Sequence, residues 1–390
     1  MPVKNRFAEL LPEITAWRHD FHENPELMYE VHRTAGKVAE LLRDFGCDEV
    51  VEGIGRTGVV GVIRGRSDSR GRVIGLRADM DALPILEQTG LPYASKVPGK
   101  MHACGHDGHT AMLLGAAKYL AETRSFDGTA VVIFQPAEEG GGGGKAMLDD
   151  GLIARFGIDE FYGMHNHPGL DVGRFAIRTG PIMAAADQFV IRLTGQGGHA
   201  GKPHESNDPM VIAAQIITAL QTIVSRAVDP LKQAVVSVST LTTDSPTHNV
   251  LPQMITMTGT VRTMEPEVRD QVEARLSQIV TGVAAAFGAV AVVDYTRGYP
   301  PTVNAAEQTD FAADVARAVA GAGQVDPDTP ALMAAEDFSY MLNERPGAYI
   351  FLGNGDTASL HQAGYNFDDA AIPFGSSWFA EVVEQRLPVA

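Results

Sequence analysis

Three apolar runs in the first half of the chain each end in residues that carry chemistry. Residues 73–78 lead into Asp79-Met80-Asp81, Thr129–Gln135 delivers Pro136-Ala137-Glu138-Glu139, and 160–164 ends in His165-Asn166-His167. Between and before them, 5–22, 30–45 and 108–123 place apolar residues at helical spacing, with Asn24-Pro25 separating the first two. Strands alternating with helices specify an α/β fold built on a mixed, mostly parallel sheet. Ligands gather at the carboxyl ends of the strands in such sheets. The repeated arrival of Asp79, Glu138, Glu139 and His165 at those ends therefore points to one site.

From about residue 181 the pattern changes. A strand at 187–195 is followed by a helix at 208–227, strands at 233–242 and 253–263, a helix at 266–286 and a strand at 289–296. This β-α-β-β-α-β order is that of a ferredoxin-like α+β sandwich. Alternation resumes after Arg297-Gly298-Tyr299-Pro300-Pro301, with a helix at 307–320, a strand at 348–352 and a last helix from about 372. At 390 residues the chain exceeds one ordinary core. The expected plan is an α/β domain in two parts, 1–180 and 297–390, interrupted by an inserted α+β domain at 181–296.

The segment Met101-His102-Ala103-Cys104-Gly105-His106-Asp107-Gly108-His109 puts imidazole and thiol donors on a loop entering a helix. Donors so spaced reach one metal ion or a pair. Asp107 is expected to cap that helix. Glu138-Glu139 would divide two tasks, one carboxylate on a metal and the other free as a general base. Neighbouring strand residues face opposite ways, so a kink at Pro136 and the glycines at 140–144 must turn both inward. By themselves these residues also fit a solvated acidic pair. Taken alone, His165 and His167 read more readily as structural histidines, and His361, in a glycine-rich loop, as an ordinary surface one. The chain is expected to turn after the strand, which favours His165.

Two apparent motifs fail on context. Gly53-Ile54-Gly55-Arg56-Thr57-Gly58 leads into a strand instead of a helix, and the glycine run before Lys145 has Ala146 where a phosphate loop needs Ser or Thr. The net charge of −17 argues against a nucleic-acid partner. The sequence shows no run of eighteen apolar residues and no signal-peptide pattern, so no membrane partner is expected. With only Cys47 and Cys104, no disulfide framework exists, and the expected location is cytoplasmic.

These segments together resemble the M20 metallopeptidase family, closest to its amidohydrolase branch of aminoacylases, hippurate hydrolases and auxin–amino-acid conjugate hydrolases. The resemblance runs from Trp17-Arg18-His19-Asp20-Phe21-His22 through Leu76-Arg77-Ala78-Asp79-Met80-Asp81, the 102–109 loop, Gln135 to Gly140, Gly163-Met164-His165, Gly197-Gly198-His199-Ala200, Asn249-Val250-Leu251-Pro252 and Ala335-Glu336-Asp337-Phe338 to Leu360-His361. It implies a zinc-peptidase-like catalytic domain with an inserted lid that mediates dimerisation, giving a homodimer or a dimer-based tetramer. It further implies two divalent ions (zinc, manganese, cobalt or nickel) held by Cys104, His106, Glu139, His165 and His361, with Glu138 as general base. Many relatives carry a metal-binding histidine where Arg77 stands. Here the Cys104/His106 pair takes over that role, and Asp79 is expected to orient a histidine ligand.

The resemblance also implies that His199 donates to the developing oxyanion, typically in the partner subunit's active site. Asn249 and Arg262 would hold the substrate carboxylate or carbonyl, though Arg262 equally fits an ion pair with the neighbouring helix. The implied reaction is hydrolysis of N-acyl-L-amino acids. Alternatives on the same scaffold are an N-acetyldiaminopimelate-type deacetylase, a dipeptidase or a carboxypeptidase. A non-catalytic metal-bound protein would have no use for a free base beside its ligands.

Overall fold

A computed structural model describes residues 5–389. The described residues divide into two compact units: 5–182, 303–330 and 337–389 form the first, and 183–302 with 331–336 the second.

The first unit is built on an eight-stranded mixed sheet. Its centre is a parallel run formed by Thr129–Gln135, Val73–Asp79, Glu160–His167 and Gly347–Gly353. These strands are buried nearly throughout and read as continuous apolar segments, as strands covered on both faces must. Gly58–Arg64 and Glu49–Ile54 add antiparallel strands at one side, and the latter was not apparent in the sequence. The helix His106–Thr123 is buried on almost every side and packs against Asn5–Glu23 and Ile372–Arg386. A helix apolar all round belongs in an interior. By contrast His32–Asp44 buries only Thr34, Ala35, Val38, Ala39, Leu41 and Leu42, one stripe at helical spacing.

The second unit has a four-stranded antiparallel sheet. Its strands run in the order Ala234–Thr243, Met254–Thr263, Ala185–Thr194, Val290–Arg297, the strand order of a ferredoxin-like sandwich. Alternate residues of Ala185–Thr194 are buried, so one face of the sheet carries the core. That core includes Ile212, Ile216 and Leu220 from Pro209–Thr222 and Val272, Leu276 and Val280 from Pro266–Ala286. Asp208 caps the first of these helices by accepting from the Met210 amide at 3.0 Å, with Pro209 in the first turn. Residues 209–227 are long and apolar enough in composition to cross a membrane, but one side of this helix packs into the unit's own core.

In the first unit, the start of Glu160–His167 is fastened to the last helix by one carboxylate. Glu160 accepts from Arg386 at 2.8 and 2.6 Å, from Arg72 at 2.7 Å and from the Tyr162 hydroxyl at 2.8 Å. Burial alone would raise its pKa, but Arg386, Tyr162 and Arg72 hold the carboxyl below its ordinary range. A depressed carboxyl contributes stability above the unfolded pKa that is lost as pH falls through the folded one. Glu160→Gln should therefore lose about 2–4 kcal/mol at pH 7. The gap in Tm between variant and wild type should close below about pH 4, as thermal unfolding against pH would show.

Candidate metal centre

The loop ahead of His106–Thr123 is shaped by Gly105, which sits in the left-handed region at φ 88° as the helix N-cap. A Cβ there would collide with the side chains of Asn166 and Tyr365. This turn lets Cys104 and His106, two residues apart, face a common centre. Asn166 secures it by donating from its side chain to the Cys104 carbonyl at 2.6 Å, while its own side-chain oxygen accepts from the Tyr365 hydroxyl at 2.7 Å.

The strand Glu160–His167 continues through both histidines, where the sequence had suggested a turn. Only His165 joins the donors. Its Nε2 lies 3.4 Å from the Cys104 sulfur, whereas the His167 ring packs on Phe351. His361 arrives from its loop with φ 63° and places Nε2 3.4 Å from Glu139 Oε1. The five expected ligands thus converge in the first unit. They form two sets, Cys104/His106/His165 and Cys104/Glu139/His361, with donor atoms inside 4.8 Å of one another. Cys104 belongs to both, as a bridging ligand would. Glu138 is grouped with His106 and Glu139 at the same spacing.

The hydrogen bonds fix which ring nitrogens are free. His106 Nδ1 lies 2.8 Å from the Asp81 carbonyl and His165 Nδ1 2.7 Å from the Asn166 carbonyl. A carbonyl only accepts, so each Nδ1 carries the proton and each Nε2 presents a lone pair when the ring is neutral. His106 Nε2 is buried without any hydrogen-bond partner. Its neighbours are acidic: against the pull of burial, Asp79 and Asp81 push His106 up to about 10. Burial, with Glu139 and Glu138, drives the Cys104 thiol well above its ordinary value. A thiol, carboxylates and an orphaned imidazole nitrogen in one buried pocket are the donor set of a soft or borderline divalent cation, which the residues fit.

Several expectations need correction. Asp79 hydrogen-bonds to His109, not to an expected ligand, and its Oδ2 stands 3.7 Å from Nε2 of the expected ligand His106. It accepts from His109 Nδ1 at 2.6 Å, and His109 Nε2 in turn accepts from the Asn166 amide at 2.9 Å, which leaves His109 no free lone pair. The other Asp79 oxygen takes Arg77 at 2.7 Å, and Arg77 also reaches Gln135 and Asp337 at 2.9 and 3.0 Å. Arg77 is thus a buried brace for strand ends. Asp107 caps nothing. Its carboxylate accepts from His22 at 2.8 Å and stands 3.5 Å from Arg18, both on the helix Asn5–Glu23. His102 is buried near His22, with ring centroids 6.3 Å apart. Asn166, Tyr365, Arg77 and the carboxylate of Asp81 are the parts that sequence reasoning passed over. Arg77 and Asp81 lay in the recognised Arg77 to Asp81 run, while nothing local signalled Asn166 or Tyr365.

His199, Asn249 and Arg262 all belong to the second unit. His199 is exposed on a short strand paired with Val250–Leu251, and its Nδ1 accepts from the Gly201 amide at 2.9 Å. The Asn249 carbonyl accepts from the Ala200 amide at 3.1 Å, which ties it beside His199. Arg262 donates to the Thr260 hydroxyl and, at 3.1 Å, to the Val261 carbonyl. Among the described residues it makes no ion pair, because Asp187 is already bound bidentately by Arg269.

A mostly parallel sheet that collects Cys, His and Glu donors beside a further buried carboxylate, Glu138, defines a metal-dependent hydrolase of the α/β class. The chain belongs to peptidase family M20/M25/M40, whose family model matches residues 75–385. It falls in the amidohydrolase branch, and hydrolysis of amides is its class of reaction. It is 42% identical to the hippurate hydrolase of Campylobacter jejuni over 97% of this chain and 98% of that protein. It is also 42% identical to the N-acetyl-L-cysteine deacetylase of Bacillus subtilis, over 97% of this chain and 89% of that one. The YxeP protein of Bacillus subtilis, described as a dinuclear metal-binding peptidase of the M20 family, superposes with a TM-score of 0.85. It shares 34% identity, over 98% of this chain and all of that one (100%).

If Cys104 serves both donor sets, its loss should disable both. Metal-free protein titrated with Co²⁺ should show a thiolate charge-transfer absorption and a rise in Tm. Cys104→Ser should lose the absorption entirely and weaken binding about 10-fold or more, as measured by competition with a chelator.

Proposed function

We propose that this enzyme hydrolyses the amide bond of N-acyl-L-amino acids, with two divalent ions per subunit drawn from zinc, manganese, cobalt or nickel. The observation that carries the proposal is the pair of donor sets sharing Cys104, with Glu138 beside them. The hippurate hydrolase and N-acetylcysteine deacetylase relatives support N-benzoyl and N-acetyl groups as the acyl portion.

Bound divalent ions supply Lewis acidity and lower the pKa of water toward neutrality. Glu138, buried to 7% exposure, takes a proton from the attacking water and returns it to the departing amine nitrogen. Its neighbour Glu139 serves as a ligand and is not available for that task. His199 donates to the oxyanion that develops on the amide carbonyl, with Asn249 beside it. Arg262, with only neutral acceptors around its guanidinium, binds the carboxylate of the amino-acid portion.

A homodimer is part of the proposal. The second unit exposes Val290 and Val292 on its edge strand, apolar residues suited to burial against a second copy. Cytoplasmic localisation is proposed on the strength of two free cysteines, one of them a metal donor.

Protein reconstituted separately with each of the four metals should cleave N-benzoyl- and N-acetyl-amino acids faster than dipeptides. Glu138→Ala should lower kcat about 10³-fold, with KM little changed. Full retention of activity by that variant would remove Glu138 from the chemistry. Arg262→Ala should raise KM about 10- to 100-fold for N-acyl-amino acids but under about 3-fold for the matching amino-acid amides. Equal changes for both substrates would exclude the carboxylate role.

A further inference from the structure

Asp81 lies two residues beyond the end-of-strand Asp79, is fully buried at 0% exposure, and is neither an expected ligand nor the base. Its carboxylate is engaged in an unusual way. Oδ1 accepts from the backbone amide of Glu138 at 2.9 Å and Oδ2 from the backbone amide of Glu139 at 3.1 Å. Its own carbonyl accepts from His106 Nδ1 at 2.8 Å. One residue therefore contacts the base and two of the proposed ligands.

The geometry matters because consecutive residues in a strand point to opposite faces. Glu138 and Glu139 serve one centre only if the chain leaves strand geometry directly after Gln135, and it does. Ala137 adopts φ 55°, a left-handed conformation costly for a residue with a Cβ, and Gly140 donates back to the Glu138 carbonyl at 2.6 Å. The turn points two successive N–H groups to the same side, where they form a concave anion-binding nest. The anion in it is Asp81. With both amides held from behind, Glu138 and Glu139 bring carboxylate oxygens within 4.8 Å of each other and of His106.

We propose that Asp81 is the positioning residue of the centre: its carboxylate holds the 138–139 turn that aims base and ligand together, while its carbonyl sets the His106 tautomer. This rests on the proposed roles of Glu138 and Glu139. It assigns Asp81 no contact with substrate.

Asp81→Asn tests it, because asparagine fills the same volume but offers one oxygen and an NH₂ group. It cannot accept from both amides, and one pair of donors would face each other. The carbonyl contact to His106 is backbone and survives. Expected are a kcat lower by about 100-fold with KM within about 3-fold. Zinc retention against a competing chelator should be at least about 10-fold weaker, since Glu139 is misplaced. A residue that only fills space would leave kcat and zinc retention within about 3-fold in this variant, and that result would overturn the proposal. A second measurement needs no variant: in wild-type protein, the amide protons of Glu138 and Glu139 should both be shifted downfield and protected from exchange. Rapid exchange of both would overturn the proposal even if the variant failed to fold. Should wild type hydrolyse no N-acyl-amino acid, the functional reading fails, while zinc retention and amide protection still judge Asp81.

Discussion

Crowding like charges into a buried pocket is the constraint that the rest of this centre answers. Two carboxylates 4 Å apart repel by about 4 kcal/mol at an effective dielectric of about 20, and an unpaired buried carboxylate costs several more in lost hydration. Here Glu138, Glu139, Asp79, Asp81 and the Cys104 thiol all lie about His106. The chain separates those charges by task. Asp79 is held among His106, Arg77 and His109, whose charges and hydrogen bonds keep its pKa well below the carboxylate range despite burial. Asp81 is spent on backbone amides. What is left facing inward is Cys104, Glu139, His361 and two imidazole Nε2 atoms, a donor set that a divalent cation fits.

Positioning such a set takes backbone conformations that regular elements do not offer. Gly105, Ala137 and His361 all have positive φ, and each lies within two residues of a donor or is one. For Ala137 and His361 the left-handed region carries a cost of order 1–3 kcal/mol, which persists only where surroundings impose it. The His361 amide donates to the Ala103 carbonyl at 2.8 Å, linking its loop to the Cys104 loop. The Ala137 amide donates to the Met28 carbonyl at 3.1 Å. Left-handed backbone thus helps to aim ligands, and the parallel strands behind them are regular and buried.

This division explains what could be read from sequence. The α/β alternation and the β-α-β-β-α-β insertion follow from periodicity, and the strand-end rule located Asp79, Glu138, Glu139 and His165 without any contact being known. Glu49–Ile54 was invisible because its residues are half exposed and lack the apolar run of a buried strand. His361 was marked by resemblance more than by pattern, since an irregular loop has no period to read. Asp107 has a capping residue's identity and place, yet the backbone turn at Gly105 starts the helix and the carboxylate turns to Arg18 and His22, some eighty-five and more positions away. Asn166 and Tyr365 meet across |i−j| = 199. Contacts at such separations are set by sheet topology, and no local rule encodes them.

The second unit shows the same separation of charges applied to a cation. Its buried Asp187 is fully occupied: Arg269 binds it at 2.9 Å through Nε and again through Nη2 at 2.5 Å, Tyr295 donates at 2.8 Å and the Gly298 amide at 3.0 Å. Arg269 thereby occupies the carboxylate of the adjacent strand, and among the described residues Arg262 makes no ion pair with an acidic residue of the neighbouring helix, the structural role the sequence left open for it. Burial lowers the Arg262 pKa, and Asp187 opposes that only weakly enough to leave the net shift downward. A half-buried guanidinium with a hydroxyl and a carbonyl for company pays desolvation without the compensation of a counter-ion. In a chain of net charge −17, with 48 acidic residues to choose from, that is costly to maintain unless the missing anion comes from outside the unit. The substrate carboxylate proposed above would be such an anion, and the planar fork of an arginine is the donor geometry that fits it.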